Sequence, residues 1–420
     1  MKVVRQICCG MDVHKNIVVA TILKSNQDRV PSFIQRSFST LNNELIQLRE
    51  WLLENHCTQA CMESTGKYWI PIFNILESDI EVFLTHPKYV KAIKGKKTDK
   101  KDSKWIAELF MYDLIKFSFI PPKLIRELRE ISRYRFKLVS QRSAEKNRYQ
   151  NSMTVSNIGL ASVFTDPFGK SSQSIMQELI QFNTIDDIKL RKLIHGNTKN
   201  KSEKIIDAIK HSNIESDKRF KLKTTSAHIL QLDQHIENCE VEIANRCQPF
   251  LDQIVHLTTI PGMTIMSVIM VISEIGLDMN QFESDKQLTC WAGLAPANNE
   301  SAGKKKSSRI SKAGKYLKPL MVQLSLAAIK SKDNPYFSIK YNRIKKRRGH
   351  KKAIITIARM MLVSIYHMIK SGEVFNPCDY DSLVNKQPHS CKQYPLTVES
   401  ALQFLQQSGI DISTLSVPSY

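Results

Sequence analysis

The stretch Val3-Val4-Arg5-Gln6-Ile7-Cys8-Cys9-Gly10-Met11-Asp12-Val13-His14-Lys15, followed after Asn16 by Ile17-Val18-Val19-Ala20-Thr21-Ile22-Leu23, decides the fold. Its two apolar, β-branched runs, parted by a polar turn, predict strands over residues 3–9 and 17–23. Further strands are predicted over 32–40, 60–63 and 81–85, with helices over 42–55 and 68–77, where Leu45, Leu48 and Leu52 recur at helical spacing. The order β-β-β-α-β-α-β-α predicts a mixed five-stranded sheet with helices on its faces. A helix should follow Gly95 and run to about Ile115, until Pro121-Pro122 stops regular structure; a second, basic helix is expected from Leu124 to about Met153.

The whole chain of 420 residues carries 61 Lys plus Arg against 40 Asp plus Glu, a net charge of +21. A mean hydropathy of −0.28, with short or charge-interrupted apolar stretches, argues against a membrane protein. A hydrophobic content of 42% argues against long disorder. Nine cysteines without a repeated C-x-x-C pair suggest neither a disulfide framework nor structural zinc, and the N-terminus shows no signal-peptide core, so the expected compartment is the cytoplasm. The charge is concentrated. Residues 303–352 hold 17 Lys or Arg and one acid, Asp333; eight lysines lie within 88–104, and nine basic residues within 123–148 face Glu127, Glu130 and Glu145. Such a stretch binds polyphosphate by counterion release, which makes nucleic acid the expected partner.

The order of elements is that of ribonuclease H-like nucleases. In that sheet the ends of the first and fourth strands are neighbours, so Asp12 and Glu63 should meet there. Asp99 and Asp102, three apart on a helix, share one helical face and would pack across them. Four carboxylates at one point require cations, and oxygen ligands suit Mg²⁺ or Mn²⁺. The Asp99/Asp102 pair alone also reads as a charge-balanced surface helix.

Gly10-Met11-Asp12-Val13-His14-Lys15, Glu63-Ser64-Thr65-Gly66-Lys67-Tyr68, and Lys97-Thr98-Asp99-Lys100-Lys101-Asp102 with Ile106-Ala107 resemble, in order, the three blocks of the RuvC-like DEDD domain of IS110 insertion-sequence transposases and Piv-type DNA invertases. The resemblance implies that Asp12, Glu63, Asp99 and Asp102 are the catalytic metal-binding tetrad.

Farther on, Ile260-Pro261-Gly262-Met263 before an apolar helix reads as a helix-hairpin-helix half, with the Gly262 turn offering backbone N–H groups to DNA phosphate, or as a buried αα-corner. Leu288-Thr289-Cys290-Trp291-Ala292-Gly293-Leu294-Ala295-Pro296, Ser301-Ala302-Gly303-Lys304 and Arg309-Ile310-Ser311-Lys312-Ala313-Gly314 resemble the A-G-L-x-P, S-G-G-K and I-S-K-x-G elements of the C-terminal domain of the same transposases. The resemblance implies a serine nucleophile, which needs a base or cation nearby. Ser301, in what reads as a flexible lysine-lined loop, is the candidate; Ser311 is the alternative, because Ala302 and Glu300 depart from the family pattern. Lys304, Lys305, Lys306, Arg309 and Lys312 would hold phosphate.

The fold class expected is α/β plus mainly α. It comprises a RuvC-like domain (1–150), a helical linker with a coiled-coil-like repeat at Ile229, Leu232, Ile236, Cys239, Ile243, Phe250 and Ile254 (151–255), a mostly helical serine domain (256–370), and a tail (371–420). The resulting reading is a DNA transposase acting on donor and target duplexes. The resemblance further implies an RNA guide and a homodimer or homotetramer with composite sites. An invertase without RNA, a metal-dependent junction nuclease and a non-catalytic DNA-binding descendant are the rival readings.

Overall fold

The computed structural model describes residues 3–26, 29–63, 66–90, 99–210, 212, 214–296, 299–301, 304–307 and 309–384. The chain divides into two compact units, residues 1–122 and 123–420.

The first unit is a sheet of six strands: β1 (Ile7–Val13), β2 (Ile17–Asn26), β3 (Arg29–Ser39), β4 (Gln59–Glu63), β5 (Glu81–Thr85) and β6 (Phe117–Ser118), in the order β3-β2-β1-β4-β5-β6. The first three form an antiparallel meander, β1, β4 and β5 are parallel, and β6 is antiparallel to β5. The expected five strands thus become six. Phe117–Ser118 is too short to show a period, and its apolar neighbours read as the end of the preceding helix. The first strand lies later than expected, because the amides of Val4 and Arg5 donate to the Met111 carbonyl (3.1 and 3.2 Å) instead of joining the sheet.

Strand alternation sorts β1 onto two faces. Cys9, Met11 and Val13 pack with α1 (Asn42–Glu54) and α2 (Trp69–Leu76) through Leu45, Leu48, Leu52, Ile72, Phe73 and Leu76. Each fully buried leucine contributes about 2 kcal/mol. Cys8 faces the other way with Cys61, against Ile106, Ala107 and Phe110 of α4 (Asp99–Met111), which follows the short α3 (Pro87–Val90). Burial pushes the Cys8, Cys57 and Cys61 thiols up to about 12, as expected of cysteines that serve as core. The described cysteines are all free.

The second unit is helical around two long helices, α5 (Lys123–Val155) and α10 (Ser216–Arg246). They run antiparallel, since Glu127 pairs with Arg246, Arg135 with Glu240, Arg142 with Asp233 and Glu145 with His228. The expected repeat is one half of this pair only as far as Ile243: α10 ends at Arg246, Pro249 follows, and Phe250 and Ile254 belong to the turn and helix beyond. At one end α6 (Leu160–Val163), α7 (Lys170–Phe182), α8 (Asp187–Leu193) and α9 (Ser202–Ile209) gather Ile175, Leu179, Leu190 and Ile205 around Tyr149, Met153 and Leu222. At the other, Ile125, Leu128 and Ile243 enter the core of α11 (Leu251–Leu257), α12 (Ile265–Ile275), α13 (Asp285–Trp291), α14 (Leu317–Ala328), α15 (Tyr336–Arg348) and α16 (His350–Ser371). Helix α16 is long and apolar enough to cross a bilayer, yet Ile357, Met361, Leu362 and Ile365 are fully buried in this core.

The segment after Gly372 packs as well. Asp379 accepts from Tyr336 Oη (2.8 Å) and pairs with Lys340 (2.6 Å), Phe375 stacks on Phe337, and α17 (Tyr380–Val384) follows. Lys340 therefore serves the scaffold.

Candidate active site

Register places two of the expected acids together. Met11 of β1 pairs with Met62 of parallel β4, so Asp12 and Glu63, each one residue farther, sit side by side at the strand ends. Both share the face of Cys8 and Cys61, which α4 covers. That helix lies unusually close to the sheet. A Cβ on Gly10 would stand 2.2 Å from the Ala107 nitrogen and 2.4 Å from the Ser103 carbonyl oxygen, so only glycine permits the approach.

A polar latch sets the helix's first turn. Thr21 Oγ1 and Ser103 Oγ are 2.8 Å apart and buried, and Gln35 Nε2 donates to Thr21 Oγ1 (2.7 Å), Ser103 Oγ (3.1 Å) and the Lys100 carbonyl (2.8 Å). Two strands, β2 and β3, and one helix are thereby tied beside Asp99 and Asp102. The helix N-terminus favours those carboxylates through its dipole.

Burial pushes the Asp12 carboxyl above its ordinary range; His14 acts against this, while Asp99 and Asp102 add to it. Asp12 Oδ2 lies 3.2 Å from His14 Nε2, which lies 3.5 Å from Asp99 Oδ1. One ligand atom from each of the three falls within 4.8 Å of the others. The donor set fits a divalent cation: carboxylate oxygens and one imidazole nitrogen converge, and a half-buried carboxylate is already short of solvent. Sequence reasoning passes over His14, although its position two residues beyond Asp12, just past the end of β1, is a usable signal.

In the second unit Asn299–Ser301 (β7) and Lys304–Ser307 (β8) form an antiparallel hairpin in which Ser301 is opposite Lys304 and Glu300 opposite Lys305. Ser301 thus ends a strand and does not lie in an open loop; Asn299-Glu300-Ser301 carries no apolar alternation that would have shown it. Residues 302, 303 and 308 lie outside the described residues, as do 64, 65 and 91–98 with their share of the expected lysine cluster.

Ser311 is a turn residue, its hydroxyl accepting from the Ala313 amide at 3.3 Å, and Lys318 donates to its carbonyl. Arg309 and Lys312 are exposed on the same segment. Gly293 and Gly314 lock the motif segments together: both have positive φ, and added Cβ atoms would stand 2.5 Å from the Ala313 oxygen and 2.2 Å from the Ala292 oxygen. Gly262, at φ +81°, lies just as tightly on Ala328, so its turn has a packing reason of its own.

Arg129 and Arg133 join α5 to this domain. Arg129 donates to the carbonyls of Ser273 and Glu274, and Arg133 grips the Glu274 carboxylate at 2.7 and 2.8 Å while its guanidinium lies over Tyr316.

Acids at the ends of adjacent parallel strands of a mixed sheet, faced by an acid-bearing helix, are the arrangement of a RuvC-like DEDD domain, the class of a DNA-cutting recombinase. Two family models match the chain in tandem: a DEDD transposase domain over residues 9–157 and the transposase domain of the IS116/IS110/IS902 family over 255–342. Together they cover more than half of the chain, which belongs to the IS110 family of insertion-sequence DNA transposases. Its DEDD domain implies a divalent metal ion. No curated protein matches the chain.

Proposed function

We propose that the chain cuts and rejoins DNA with Asp12, Glu63, Asp99 and Asp102 as its cation site and Ser301 as its nucleophile. The observation that carries this reading is the register of Met11 with Met62, which sets Asp12 beside Glu63 under the face that α4 covers. Mg²⁺ or Mn²⁺ held by these residues would supply positive charge for phosphodiester displacement. Asp12 and Glu63 fix the position of that charge, and Asp99 and Asp102 close it from the helix.

Ser301 Oγ attacks phosphorus, forming an Oγ–P bond as the bond to the leaving sugar oxygen breaks. The hydroxyl proton leaves the serine and the departing oxygen takes one up. A sugar hydroxyl of the new strand then reverses the exchange, so phosphodiester bonds are conserved without an external energy source. Ser301 is preferred over Ser311 because it pairs with Lys304 at the head of the run Lys304-Lys305-Lys306. Lys304, Lys305, Lys306, Arg309, Lys312 and the Gly262 amide are assigned to phosphate binding.

The exposed basic residues from Arg343 to Lys352 support nucleic acid as the partner. Resemblance to the family supports a guide RNA, donor and target duplexes, and a homodimer or homotetramer with composite sites. The test is a detergent-stable protein–DNA adduct. It should form with wild type and Ser311→Ala, and vanish with Ser301→Ala or with chelator; cleavage without any adduct would reject the serine, and undiminished cleavage in excess chelator would reject the cation site.

A further inference from the structure

We propose that His14 is itself a ligand of the cation held by Asp12 and Asp99, making the site a mixed nitrogen–oxygen site that prefers Mn²⁺ to Mg²⁺. This inference rests on the cation site of the preceding section and assigns it a residue outside the carboxylate tetrad.

The placement follows from strand geometry. Asp12 lies on the face of β1 that meets α4, Val13 is buried on the opposite face, and the alternation returns His14 to the side of Asp12. The backbone under the ring is held at three points. The His14 amide donates to the Ile17 carbonyl (3.0 Å), the Thr40 amide to the Asn16 carbonyl (3.3 Å) and Thr40 Oγ1 to the Lys15 carbonyl (2.9 Å).

Ligand atoms bound side by side on one octahedral ion, at about 2.1 Å each, are about 3.0 Å apart. The His14 Nε2 distances of 3.2 Å to Asp12 Oδ2 and 3.5 Å to Asp99 Oδ1 need to contract only slightly. The His14 and Asp99 side chains are 48% and 54% exposed, which leaves the outer side open to water or a phosphate oxygen. A hard ion such as Mg²⁺ gains little from imidazole, whereas transition ions gain from nitrogen donors, so His14 biases ion choice more than total affinity.

The competing account is an imidazolium that bridges two carboxylates and takes no part in binding metal. The two differ in sign. Removing a ligand weakens binding; removing a competing positive charge strengthens it.

The experiment titrates the full-length chain with Mn²⁺, read by the electron paramagnetic resonance of the free ion, and examines the bound ion by pulsed methods for coupling to nitrogen. Wild type should show histidine nitrogen coupling, and protein labelled with ¹⁵N-histidine should shift it. His14→Ala should abolish the coupling, weaken Mn²⁺ about tenfold and change Mg²⁺ affinity less than about twofold. His14→Gln, which restores bulk and offers oxygen, should recover part of the affinity without the coupling. Asp12→Asn should lose tight Mn²⁺ binding altogether. Mn²⁺ held in an Asp12-dependent manner without nitrogen coupling, or more tightly by His14→Ala, would overturn the assignment of His14 and leave the carboxylate site standing. Mn²⁺ binding indifferent to Asp12→Asn would overturn both.

Discussion

The proposed carboxylate site of the first unit and the hairpin of the second that carries Ser301 are built by opposite means. Asp12, Glu63, Asp99 and Asp102 are placed by a sheet register, a close backbone approach at Gly10 and the buried latch of Thr21, Gln35 and Ser103. The neighbourhood of Ser301 is placed by a short two-stranded hairpin whose surrounding motif residues, Gly293, Ala313 and Gly314, are spent on joining segments of scaffold. The motif glycines of the second therefore report packing, while the acids of the first stand at strand ends and in a helix's first turn, outside the hydrophobic core.

The sharpest way to break this contrast is to change the acids. Asp12→Ala and Asp102→Ala should each lower strand cleavage by about a thousandfold, measured on a labelled duplex, without lowering the melting temperature, because removal of one carboxylate relieves repulsion in the metal-free protein. A melting point that fell with the activity would make these acids part of the frame.

Gly10→Ala should do the reverse. With a Cβ 2.2 Å from the Ala107 nitrogen, the helix must move, at a cost of about 3 kcal/mol in thermal or denaturant unfolding, and the carboxylates move with it. Gly196→Ala, where an added Cβ meets nothing within 4 Å, should cost only about 1 kcal/mol for its left-handed backbone.

In the second unit Glu274→Ala should destabilise by about 2 kcal/mol, since the 7%-exposed carboxylate leaves Arg133 without its partner on a guanidinium that is 36% exposed. Glu274→Gln should recover part of that loss in the same unfolding measurement.

The smallest effect belongs to the hairpin lysines. Replacing Lys304, Lys305 and Lys306 by Gln should weaken matched and unmatched DNA alike and flatten the log–log salt slope by about 0.9 for each phosphate no longer neutralised. An unchanged slope would return these lysines to solvent.

Legibility in the sequence follows the same divide. Short apolar runs bounded by polar turns give away the first five strands, and Leu45, Leu48 and Leu52 give away α1, because burial on one face imposes a period. Asp12 and Glu63 stand out since an acid at the end of an apolar strand has no packing excuse. His14 does not, because a polar residue in a turn needs none. The hairpin at Ser301 is hidden because strands of three and four polar residues are too short to show a period. Residues 151–216 read as irregular because four short helices with glycine and asparagine between them blur each other's period, although Ile175, Met176, Leu179 and Ile180 mark one face of α7. The strap after Gly372 is held by one aspartate and a few aromatic rings, with no repeat to read.

The helix α5 is 33 residues long, which at about 1.5 Å per residue makes a shaft of about 50 Å. The four-helix module leaves that shaft at Val155 and returns to it at Ser216, with Met153 and Leu222 in one core, so its entry and exit stand side by side. The family matches stop at residue 157 and resume at 255, beyond the module on both sides. A change in the length of this head would reach the shaft only through those two adjacent seams, and the ion pairs that hold α5 to α10 would stay in place.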